Sequence, residues 1–98
     1  MDPRDIARVL DQGRDSLAAF RIRSLHVFGS VARGEDRPGS DVDLLVEFEP
    51  DAEIGLLAFC RLQRQLSEML GRRVDLVTSE ALHKTMREGI LREAVRAA

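Results

Sequence analysis

The sequence has a single cysteine, no surplus of basic residues, and no apolar run near the roughly 20 residues that a helix needs to cross a bilayer. Each shortage removes a class of function. Cys60 has no partner for an internal disulfide and falls in an apolar helical stretch, so a buried, inert thiol is expected there rather than a nucleophile. Without a long apolar run, a helical membrane span is excluded. The opening Met1-Asp2-Pro3-Arg4-Asp5 is acidic with no apolar core behind it, unlike a secretion signal, and a cytoplasmic protein is expected. Fifteen basic against seventeen acidic residues give a net charge of −2, which ill suits a protein that holds long nucleic acid by counterion release. Repeats, linkers and low-complexity tracts are also missing.

What remains is a chain of 98 residues, 44% apolar and 33% charged, enough for one hydrophobic core and one compact domain spanning residues 1–98. Asp2 before Pro3 is a good helix start, and Ile6, Val9, Leu10, Gly13, Leu17 and Phe20 keep a helical spacing to about Phe20. Leu25 to Phe28 reads as a buried strand stopped by Gly29. Ser30 to Arg33 can form a short helix that Gly34 ends. Over Val42 to Phe48, the period of two puts Val42, Leu44, Val46 and Phe48 on one face and Asp41, Asp43, Leu45 and Glu47 on the other.

A second long helix is expected from about Ile54 to Leu70, with Leu56, Phe59, Cys60, Leu62, Leu66, Met69 and Leu70 as its apolar stripe and Gly71 as its stop. Val74 to Val77 is a third strand. Ser79 can then cap a last helix with Leu82, Met86, Ile90, Leu91 and Val95 inward. These apolar residues exceed what one stripe needs, so Leu91 and Val95 could instead face a partner. The order helix, strand, short helix, strand, helix, strand, helix implies an α/β domain, a small mixed sheet flanked by helices.

The chemistry concentrates where Gly29-Ser30 is followed, after ten intervening residues, by Asp41-Val42-Asp43, with Asp75 on the next strand. Glycine at the strand end permits a turn and a close approach to a ligand, and the backbone N–H groups that follow suit a phosphate. The Ser30 hydroxyl adds a hydrogen bond, while Arg33 can meet either phosphate or a nearby carboxylate. Asp41 and Asp43 point the same way and repel one another, an arrangement suited to one or two hard cations such as magnesium. Magnesium there would bridge triphosphate oxygens and neutralise charge on a departing pyrophosphate. Asp75 could ligate the metal nearer the acceptor or act as general base. The remaining candidates read as structural: His26 within a strand, His83 solvated, and Arg61, Arg64, Arg72 and Arg73 as solubilising charges.

The run Phe28-Gly29-Ser30-Val31-Ala32-Arg33-Gly34 to Ser40-Asp41-Val42-Asp43-Leu44 resembles the signature of the DNA polymerase beta-like nucleotidyltransferase superfamily, and most closely its minimal members, the MNT proteins. The similarity extends to Arg73-Val74-Asp75-Leu76-Val77 and to the final Ile90-Leu91-Arg92-Glu93-Ala94-Val95. It implies a polymerase beta-like core that uses magnesium, two ions, and ATP as substrate. Gly29, Ser30 and Arg33 would then meet the nucleotide, and Asp41, Asp43 and Asp75 would be catalytic and hold the metal. It further implies an antitoxin whose partner is a HEPN-domain toxin, with AMP placed on a toxin tyrosine. Two other readings stand beside this one. A non-catalytic module could neutralise its partner by covering it, or a transferase could act on a small molecule or an RNA end, which the short chain and negative charge make awkward.

Overall fold

The computed structural model describes residues 1–82 and 84–98, so the expected solvation of His83 lies outside the described residues. Helix α1 spans Pro3–Gln12, where the Asp2 carboxylate accepts from the Arg4 and Asp5 N–H groups and Asp5 returns a bond to the Asp2 backbone. The expected first helix is interrupted at Gly13 and continues as α2, Arg14–Leu17, and a 3-10 turn, Ala18–Phe20. A Cβ at Gly13 would meet the terminal methyl of Met69, the movable end of a flexible side chain. That approach places the end of α1 beside the helix carrying Met69.

Strand β1 is Ile22–Phe28, three residues longer than its apolar run, because Ile22 to Ser24 also pair with the next strand across an irregular register at Arg23. The short helix α3, Gly29–Ala32, follows at once. Strand β2 covers Val42–Phe48, with the bounds that the alternation predicted. Helix α4 is Leu56–Leu70, stopped by Gly71 at φ 65°. Strand β3, Val74–Thr78, leads into a 3-10 turn, Ser79–Ala81, whose cap is the Thr78 hydroxyl rather than Ser79. The last helix, α5, is Lys84–Glu93, and a two-residue strand β4, Val95–Arg96, ends the pairing.

The four strands form one mixed sheet in the order β3-β2-β1-β4, with β2 and β3 parallel and the other pairs antiparallel. One face is covered by α1 and α4: Ile6, Leu10, Leu62 and Leu66 meet Leu25, Val27, Val42, Leu44, Val46 and Val74, all buried. Burying a side chain of this size contributes about 1.5–3 kcal/mol, so this layer is the main source of stability. In α4 the buried set is Leu62, Leu66 and Leu70, a strict four-residue repeat. Leu56 is 80% exposed and Cys60 is exposed, contrary to the expected stripe, because only one side of α4 meets the sheet.

The last helix also departs from expectation. Met86 and Leu91 are exposed, and Val95 is exposed within a strand, not turned inward on a helix. No helix among the described residues is long and apolar enough to cross a membrane.

Candidate active site

The end of β1, the start of β2 and the start of β3 meet at one edge of the molecule. Phe28 is the register partner of Asp43 across the antiparallel pair, and Asp43 is the register partner of Asp75 across the parallel pair. Register partners on adjacent strands share a face about 5 Å apart, so Asp43 and Asp75 project side by side. Asp43 is half-buried, Asp75 is exposed, and Asp41 is exposed one residue before the strand begins. Among the described residues no three His, Cys, Asp or Glu side chains are gathered into a ready metal shell.

Gly29 takes φ 73° as it turns the chain off β1, and a Cβ built there would overlap Oδ2 of Asp43. Backbone and carboxylate are therefore in direct apposition, as the close-approach role of this glycine requires. Ser30 is partly buried in the first turn of α3, and its carbonyl accepts from the Glu35 N–H at 2.8 Å. The Arg33 guanidinium lies between two carboxylates, 3.2 Å from Glu35 and 3.3 Å from Glu93, which hold its proton more firmly than usual.

Burial raises the proton affinity of Asp43 above that of an ordinary aspartate, and the facing charges of Asp75 and Asp41 raise it further, against a smaller opposing pull from Arg33. Asp43 beside Asp75 and Asp41 offers hard oxygen donors and concentrated negative charge, the chemistry that a magnesium ion neutralises. The residues present therefore fit such an ion. Asp41 and Asp43 with Asp75 would hold it.

Two functional neighbours escaped the sequence. Glu93, the last residue of α5, accepts from the Gly29 N–H at 3.0 Å across 64 positions of chain. Its signal was the run Leu91-Arg92-Glu93-Ala94-Val95, quoted for resemblance but assigned no role. Arg72 is not a free solubilising charge: it is mostly buried and forks onto Asp36 at 2.7 and 3.0 Å while donating to the Ser40 carbonyl at 2.6 Å. It ties down the loop that delivers Asp41, and it pulls the Asp36 carboxyl well below the usual range. A cavity of about 720 Å³ lies at the far ends of β2 and β3, between Glu47, Ile54, Phe59 and Thr78, and none of the predicted site residues lines it.

Residues 10–97 match the nucleotidyltransferase domain family, and the chain belongs to that family. Among relatives of known assignment, the protein adenylyltransferase MntA of Thermococcus cleftensis is 47% identical over 77 residues, 78% of this chain and 75% of its own length. A solved structure assigned to the minimal nucleotidyltransferases superposes with a TM-score of 0.78 at 41% identity, covering 97% of this chain and 95% of the other. The same fold occurs in a toxin–antitoxin crystal structure with AMP-PNP, at a TM-score of 0.72 and 20% identity over 100% of this chain and 73% of that one. Family and fold are those the glycine-serine turn and the paired aspartates implied.

Proposed function

We propose that this chain is a magnesium-dependent protein adenylyltransferase, a single catalytic unit that moves AMP from ATP to a tyrosine hydroxyl of a HEPN-domain toxin and so acts as its antitoxin in the cytoplasm. The observation that carries the reading is the register of Asp43 with Asp75, with Gly29 apposed to Asp43. The relative that is 47% identical over 77 residues is a protein adenylyltransferase, and a toxin–antitoxin structure shares the fold.

In the reaction the acceptor oxygen bonds to the α-phosphorus as the bond to the bridging oxygen breaks, and pyrophosphate leaves. The N–H groups after β1 and the Ser30 hydroxyl orient the triphosphate. Asp41 and Asp43 would hold magnesium, which would supply positive charge against the phosphates and the departing pyrophosphate. Asp75 acts on the acceptor side, either receiving the hydroxyl proton or holding a second ion; its exposure leaves it open to an incoming hydroxyl.

The test is the mass of the partner toxin after incubation with ATP and magnesium. The parent should add one or more AMP units, whereas Asp75→Asn should add none while keeping most of its ATP affinity and its grip on the partner. The covering-module reading draws on the exposed apolar residues Leu56, Leu57, Met86 and Leu91, which suit a protein partner. Protection from the toxin without any mass gain, equal in parent and Asp75→Asn, would establish that reading instead.

A further inference from the structure

We infer that Glu93 is a built-in occupant of the triphosphate cradle, a carboxylate latch on the Gly29 N–H and the Arg33 guanidinium that ATP must displace. Glu93 Oε1 accepts from the Gly29 N–H at 3.0 Å, and Arg33 Nη1 reaches both Glu93 oxygens at 3.3 Å. These are the donors that a phosphate at this turn would need. A single N–H cannot serve two anions at once, so carboxylate and phosphate compete for it.

The latch has a fixed mount. Glu93 closes α5, the Ala94 N–H bonds back to the Ile90 carbonyl, and Val95 then pairs with Val27 on β1, two residues before Gly29. Strand pairing thus returns the chain end to the cradle and sets the glutamate over it. Glu93 also adds to the negative field at Asp43, so its departure would relieve the crowded acids as well as free the donors.

This inference rests on the nucleotide-binding reading above, and its test separates the two. AMP-PNP with magnesium is titrated by calorimetry into the parent, Glu93→Gln and Glu93→Ala, with melting curves taken without nucleotide to check folding. Gln removes the charge but keeps a carbonyl acceptor for the Gly29 N–H, while Ala removes both. Affinity should rise in the order parent, Gln, Ala, with Ala tighter by roughly tenfold, the net worth of about one charge-assisted hydrogen bond. Binding by the variants alone would also support the latch. Equal tightening in both variants would replace the latch with long-range repulsion. Unchanged or weaker binding in the variants overturns the latch and leaves the nucleotide site standing; no binding by any form overturns both. If the Ala form does not fold, Glu93→Asp takes its place: it keeps the charge and shortens the reach, so tighter binding than the parent supports the latch and unchanged binding overturns it.

Discussion

A methyl group added at Gly29 should cost more than one added at Gly34, although both glycines have nearly the same backbone, φ 73° and 74°. The left-handed conformation alone penalises a non-glycine residue by about 1–2 kcal/mol, and Gly34→Ala should lose only that, since nothing lies within 4 Å of the new Cβ. At Gly29 the new atom also meets the Asp43 carboxylate, which must leave its rotamer at a further cost of about 0.5–1.5 kcal/mol. The two variants should therefore differ by about 1 kcal/mol, or about 4–8 °C in Tm for a domain of this size. Melting followed by circular dichroism, supported by urea titration, measures the difference directly. In an Asp43→Ala background the Gly29→Ala penalty should shrink toward that of Gly34→Ala, because the overlapping carboxylate is gone and only the Cβ of residue 43, 3.3 Å away, remains. Equal losses for the two glycines in the parent background would refute the apposition of Gly29 and Asp43, and with it the geometry on which the site depends.

Asp43→Asn should raise Tm in the presence of a chelator, because the folded protein holds the Asp43 carboxylate above its ordinary value of 3.8. The sign follows from proton binding: the penalty is fully present above the raised value and fades as pH falls toward 3.8, so the gap between variant and parent should close in acid. Melts across that range that show a constant gap would contradict it. Arg72→Ala should destabilise by about 1–3 kcal/mol in urea, having left the Ser40 carbonyl unpaired and Asp36 with the N-terminal ammonium alone. Arg72→Lys should recover only part of this, since an ammonium cannot reproduce the fork. Leu66→Ala, fully buried between α4 and the sheet, should lose about 2–5 kcal/mol by the same assay.

Sequence patterns exposed β2 to the residue, because Val42, Leu44, Val46 and Phe48 keep one face between turn-forming residues on either side. They exposed the glycine-serine turn and the three aspartates for the same local reason. The beginning of β1 was hidden by Arg23, whose charge interrupts the apolar run although its neighbours pair. Leu56 and Cys60 look like core because periodicity measures apolar spacing, and α4 carries more apolar residues than the sheet can cover. Glu93 and Arg72 act across 64 and 36 positions of chain, so their partners become visible only once the fold brings them together.

The parallel pairing of β2 and β3 makes the placement of the acidic pair a property of the core. Asp75 faces Asp43 only in one register, and a strand that slips by one residue presents every side chain to the opposite face. Such a slip would turn Asp75 inward without a partner and carry the buried Val74 and Leu76 into water, two penalties that the whole apolar layer opposes. Packing away from the nucleotide thereby proofreads where the carboxylates stand.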